Sequence, residues 1–205
     1  MIAIIDFGMG NVRSVQNAFT KVGFQSKITA DLKEITDAKA IVLPGVGAFR
    51  DAINNLRDKK IDEALIQAIK LNKPFLGICL GMQLLLSCSE EGGKYEGLDL
   101  LSGTAKRFQN TVKCPHMGWN SIKYIQPSVP EVNPLYKGIP DNTYFYFVHS
   151  YYCKLDDRQL VSAVTNYGID YPSSFRKKNL FGVQFHPEKS STMGLKILRN
   201  FGELR

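Results

Sequence analysis

A chain of 205 residues, 44% hydrophobic and 22% charged, has the make-up of a globular protein that buries about 70% of its unfolded surface. This predicts a single domain over residues 1–205. No apolar run approaches the ~20 residues that span a bilayer, which argues against a membrane protein. The net charge of +7 is spread over short pairs such as Lys59-Lys60 and Lys177-Lys178. There is no basic stripe with interleaved aromatics, so the charge reads as solvated surface and as help in capturing an acidic partner rather than as a nucleic-acid site.

In chain order, the start Met1-Ile2-Ala3-Ile4-Ile5-Asp6 is too short for a signal peptide and lacks a basic lead. It reads as a buried strand, and the cytoplasm is the expected compartment. Strands are predicted over Met1–Ile5, Gln25–Thr29, Ala40–Leu43 and Phe75–Ile78. Helices are predicted over Val12–Val22, Ala48–Leu56, Ile61–Leu71 and Leu80–Leu86. In the third of these helices, apolar residues recur at 61, 64, 65, 68 and 69, a helical stripe. Short apolar strands separated by such helices imply an α/β fold. Its central sheet is mixed but mostly parallel, with helices on both faces. The second half predicts antiparallel additions: strands over Thr104–Phe108, Ser121–Tyr124, Thr143–Ser150, Leu160–Asn166 and Phe181–His186, closed by a helix over Thr192–Leu204.

Four segments carry chemistry. Gly8-Met9-Gly10 opens like a dinucleotide fingerprint, but the third small residue is replaced by Arg13, which argues against a nucleotide site. Pro44-Gly45-Val46-Gly47 joins a strand to a helix and is either an ordinary turn or a source of oxyanion N–H donors. Gly77-Ile78-Cys79-Leu80-Gly81 has the spacing of a nucleophile elbow, with sulfur in place of hydroxyl. The thiol would stand at a helix N-terminus, where N–H groups favour a thiolate. Taken alone, Cys79 fits a core cysteine equally well. His186 and Glu188 lie two residues apart, so an extended chain would point both to one side. With Cys79 they form the parts of a nucleophile, base and orienter, in which a neutral imidazole held by Glu188 suits catalysis near pH 7. The four cysteines, at 79, 88, 114 and 153, form no CxxC pair, and there are only three His. Free thiols and no metal are expected.

The trio PGVG, GICLGMQ and FHPEKS resembles the class I (triad) glutamine amidotransferases. The runs Cys114–Asn120 and Tyr144–Tyr151, with the start Asp6–Asn11, are similar to one branch of that family, glutaminases that feed a barrel-shaped cyclase in histidine biosynthesis. The similarity runs end to end. It implies hydrolysis of glutamine by Cys79, His186 and Glu188, with an oxyanion hole from the backbone of Val46, Gly47 and Leu80, and no metal or organic cofactor. It further implies that Gln83, Glu91 and the backbone of His149, Ser150 and Tyr151 hold the substrate. Met117, Trp119, Tyr146 and Lys189 match positions near the partner. The lone Trp119, read as lying on a turn before Asn120, fits a partner anchor or a core residue.

The resemblance implies an enzyme nearly idle until its partner binds, with the PGVG loop as the switch. Three rival readings differ in class. One is a triad amidotransferase serving another synthase, such as one aminating a surface-sugar precursor. Another is a Cys-His hydrolase such as a peptidase, against which Gln83 and Glu91 speak. The third is a non-catalytic regulatory subunit, against which the intact triad speaks.

Overall fold

The computed structural model describes residues 1–126 and 129–204. The first half alternates as expected: β1 (Ile2–Ile5), α1 (Val12–Lys21), β2 (Ser26–Thr29), α2 (Leu32–Asp37), β3 (Ala40–Gly45), α3 (Phe49–Asp58), α4 (Ile61–Lys70), β4 (Phe75–Cys79) and α5 (Leu80–Gln83). The second half is richer in strands: β5 (Leu86–Ser89), β6 (Tyr95–Glu96), β7 (Leu101–Arg107), β8 (His116–Ser121), β9 (Lys123–Tyr124), α6 (Val129–Val132), β10 (Tyr144–His149), β11 (Tyr151–Leu155), β12 (Val161–Asn166), β13 (Asp170–Lys177), β14 (Leu180–Val183) and α7 (Ser191–Gly202).

The central sheet runs β2-β1-β3-β4-β14-β13-β12-β9. Its first five strands are parallel, and the remaining three pair antiparallel. Strands buried on both faces need apolar residues at every position, and β1, β3 and β4 meet that demand. Ala3, Ile5, Ile41 and Leu43 face one core, under α2, α3 and α4. Ile2, Ile4, Val42, Leu76 and Ile78 face the other, with residues of α1 and α7. A two-stranded ribbon, β10-β8, and a four-stranded sheet, β11-β7-β5-β6, complete the fold.

The structure corrects several expectations. The helix after Cys79 ends at Gln83, and Leu86 already belongs to a strand parallel to β7. With four residues, α5 has little macrodipole to offer the thiol, so local N–H groups must do that work. The strand expected over Ser121–Tyr124 is two strands of different sheets, interrupted at buried Ile122. The predicted Phe181–His186 strand ends at Val183. The helices α2 and α6 and the strands β5, β6, β11 and β13 were not among the expected elements. None of the described helices is long and apolar enough to cross a membrane. Among the described residues no group of three or more His, Cys, Asp or Glu is placed to hold a metal, and all four cysteines are free.

Candidate active site

Cys79 ends β4 at the middle of the sheet, with φ 54° and ψ −110°. A non-glycine residue holds such a conformation only when its surroundings impose it. Here the imposition is steric. A Cβ on Gly77 would lie 2.7 Å from the Gly81 carbonyl oxygen, and one on Gly81 would run into the Leu43 carbonyl. The sharp turn therefore requires glycine at both places, and it presents the sulfur at the carboxyl edge of the sheet.

β14 lies beside β4 in parallel register, Val183 opposite Ile78. The chain leaving β14 carries His186 to that same edge. His186 and Glu188 are not brought together by an extended strand. Pro187–Lys189 forms a 3-10 turn, with His186 as its cap. The turn sets His186 Nδ1 2.9 Å from Glu188 Oε1, and both side chains are nearly fully buried. A carboxylate only accepts, so Nδ1 donates and Nε2 is free to act as base. His186 Nε2 and Glu188 Oε2 are buried without hydrogen-bond partners among the described residues. The backbone is fastened as well. His186 N–H donates to Tyr146 O, and Ser190 Oγ donates to His186 O at 2.6 Å while accepting from Tyr146 N–H.

Electrostatics departs from the expected neutral imidazole. Burial alone would lower the His186 pKa, but the nearby Cys79 sulfur and the Glu188 carboxylate outweigh it and raise it. His186 is thus biased toward imidazolium, a proton donor beside the Cys79 sulfur.

A cavity of about 300 Å³ opens over Cys79. Val46, Gly47 and Leu80 line one side, Gln83 and Glu91 another, and Pro115 with Val148–Tyr151 the third. All eight residues expected to form the oxyanion hole and substrate pocket therefore meet around the sulfur. Gln83 is buried rather than an exposed helix residue. Glu91 is no solvated loop acid: its Oε2 accepts from Phe49 N–H at 2.8 Å, capping α3 directly after the PGVG loop. The β1–α1 loop packs on the same loop. A Cβ on Gly10 would sit 3.2 Å from Pro44 O, and one on Gly47, at φ +96°, 2.6 Å from Met9 Cε. A larger cleft of about 460 Å³, bordered by Lys154, Arg158 and Asp170, shares no residue with this cavity.

Trp119 lies in β8, not on a turn, opposite Tyr146 of β10. It is 52% exposed and Met117 63%, which excludes the core reading. The Trp119 and Tyr146 rings meet edge to face at 6.3 Å, and Lys189 Nζ stands 6.0 Å from the Tyr146 ring centre. Tyr144 extends the patch, unforeseen from sequence. Two pairs further along the ribbon, Val148 opposite Met117 brings β10 to Cys79, whose Sγ lies 3.9 Å from Val148 O. Gln184, also unforeseen, donates from Nε2 to Cys79 Sγ at 3.6 Å. Its signal was a lone amide inside an otherwise apolar run.

Comparison with known proteins agrees with this architecture. The family model described as glutamine amidotransferase class-I matches residues 3–203. The imidazole glycerol phosphate synthase subunit HisH of Moorella thermoacetica is 51% identical over 203 residues, covering 99% of this chain and 94% of its own. The protein of the same name from Caldanaerobacter subterraneus is 50% identical, covering 100% and 98%. Among solved structures, that of PurLQS from Thermotoga maritima superimposes with a TM-score of 0.74 at 18% identity, covering 98% of this chain and 96% of its own. At that identity the likeness speaks for the fold alone. By sequence over nearly its whole length, the chain belongs to the class-I glutamine amidotransferase family.

Proposed function

We propose that this chain is the glutamine-hydrolysing subunit of an imidazole glycerol phosphate synthase, acting as one amidotransferase domain in the cytoplasm. The observation that carries the reading is a cavity lined by Cys79, Gln83 and Glu91, with His186 held by Glu188 and interacting with the Cys79 sulfur. Relatives of that name, about half identical over the full chain, support the particular synthase over one serving a different acceptor.

In this mechanism Cys79 thiolate attacks the side-chain amide carbon of glutamine. The oxyanion is met by backbone N–H groups of Leu80 and the Val46–Gly47 loop. His186 imidazolium gives its proton to the departing nitrogen, which leaves as ammonia, and a thioester remains. The now neutral His186 takes a proton from water, hydroxide adds to the thioester, and glutamate leaves as the thiolate returns. Glu188 fixes the imidazole tautomer throughout. Glu91 carries the charge to hold the substrate ammonium group. The carbonyls of Ser150 and Tyr151 already accept from Phe108 N–H, Gln83 and His149. What the 149–151 segment can offer the substrate carboxylate is its N–H groups.

The partner is a barrel-shaped cyclase seated on Met117, Trp119, Tyr144, Tyr146 and Lys189, which receives the ammonia and makes imidazole glycerol phosphate and an aminoimidazole carboxamide ribonucleotide. Turning one peptide of the PGVG loop would replace an oxyanion donor by a carbonyl, so that loop is the switch. The test is glutamate release by the pure chain, with and without the cyclase and its nucleotide ligand. Strong activation by both together is expected. Full activity of the lone chain would refute the switch, and no activity in any combination would refute the function.

A further inference from the structure

Gln184 is fully buried between β14 and His186, and its backbone N–H is fastened to Ser173 O at 2.9 Å. The orientation of its amide follows from one backbone atom. The Tyr151 carbonyl can only accept, and it accepts from His149 Nδ1 at 2.8 Å and from Gln83 Nε2 at 2.9 Å. That fixes which end of the Gln83 amide is nitrogen. The same Nε2 donates to Gln184 Oε1 at 3.2 Å. Gln184 must then turn its own nitrogen the other way, and there it meets Cys79 Sγ at 3.6 Å.

We propose that Gln184 is a further catalytic residue, whose amide N–H holds the Cys79 sulfur and favours its thiolate. This rests on the reading of Cys79 as the nucleophile. A sulfur nearly sealed from water loses hydration that would otherwise stabilise its anion, and an N–H aimed at it replaces part of that loss. The bond strengthens when the thiol ionises, because a charged acceptor binds a donor more tightly than a neutral one. His186 interacts with the same sulfur, and Gln184 adds to it a second side-chain N–H, its donor 3.6 Å from Sγ. The Gln83–Gln184 pair thereby links the wall of the substrate cavity to the nucleophile through fixed amide dipoles.

The experiment measures alkylation of Cys79 in the full chain by iodoacetamide from pH 5 to 9, read on the Cys79 peptide by mass spectrometry so that the other cysteines do not interfere. Gln184→Met keeps the length and removes the donor. Gln184→Glu keeps the shape and the contact from Gln83 but turns an acceptor toward the sulfur. For Gln184→Met we expect alkylation about tenfold slower at pH 7, with the half-maximal pH about one unit higher, and a larger effect for Gln184→Glu. An unchanged rate and pH profile in either variant, with native circular dichroism, overturns the proposal. Should neither fold, Gln83→Met, which frees the Gln184 amide to turn, carries the same expectation at smaller size, and an unchanged profile there overturns it. A glutamine-analogue electrophile applied to the parent chain, bound to the cyclase and its nucleotide ligand, separates the two readings. Failure to label Cys79 refutes the nucleophile, whereas labelling with no dependence on Gln184 refutes only its role.

Discussion

Acid should loosen this fold from inside, through two histidines the chemistry does not use as bases. His116 and His149 are buried side by side, their rings 5.2 Å apart. A directed chain of hydrogen bonds satisfies both as neutral imidazoles. Asn120 Nδ2 donates to His116 Nε2, His116 Nδ1 to the Tyr171 hydroxyl, that hydroxyl to His149 Nε2, and His149 Nδ1 to Tyr151 O. A proton added to His116 Nε2 would face the Asn120 amide N–H, and one added to His149 Nε2 would force the Tyr171 hydroxyl proton out of the chain. Burial pushes His116 down to about 4 and His149 down to about 3. In the unfolded chain both titrate near 6.5, so between that pH and their folded values the unfolded state binds more protons and stability falls with falling pH. Between pH 6.5 and pH 5 each costs on the order of 1–2 kcal/mol, so the two cost about 3 kcal/mol of a native stability of about 5–15 kcal/mol. His186 works in the opposite sense. Its folded pKa is raised, so its contribution is already in place below 6.5 and is lost only at high pH. Urea unfolding followed by far-ultraviolet circular dichroism at pH 6.5 and 5 measures the difference. His116→Gln with His149→Gln should remove most of the loss. An equal loss in the double variant, or none in the parent, would refute the reasoning.

Two further outcomes follow from steric and polar detail at the site. Gly81→Ala drives a methyl group into the Leu43 carbonyl, which is sheet backbone and cannot yield; a loss of at least about 1–3 kcal/mol is expected, seen as a lower thermal midpoint or absence of soluble protein, and an unchanged midpoint would contradict the elbow geometry. Glu91→Ala should raise KM for glutamine at least tenfold with a smaller change in kcat. It should also cost about 1 kcal/mol of stability by uncapping Phe49, and an unchanged KM in the cyclase complex would remove Glu91 from the substrate site.

The parallel half of the fold was legible because its strands are solid apolar runs and its helices carry clean stripes; of the stripe at 61, 64, 65, 68 and 69, the first four are buried and Ile69 is half-buried. The helix α2 was legible too but went unread. Asp31 accepts from Glu34 N–H, the first half of a capping pair written plainly as Asp-x-x-Glu. Other elements answer to partners far away in sequence. β13 includes Pro172 and two buried serines, which locally spell a loop, and it is a strand because β12 and β14 pair with it on either side. Leu80–Leu86 has helical composition, yet β7 draws Leu86 into a sheet. Cys79, His186 and Glu188 stood out because their residue types lie just past solid apolar runs, Cys79 closing β4 and the other two in the turn after β14. The amide relay through Gln83 and Gln184 was not, because it exists only where β4, β11 and β14 converge.

The seat of Cys79 on β4 has a consequence for how the chain is made. β14 is the neighbour of β4 at the centre of the sheet, yet it follows about a hundred residues later, roughly 5–20 s of synthesis. Throughout that interval the finished β2-β1-β3-β4 half carries an open, wholly apolar edge ending in a reactive thiol. Such an edge invites pairing with another nascent chain. Its partner arrives only with β14, so a ribosome stalled before residue 180 would leave the apolar edge of β4 bare.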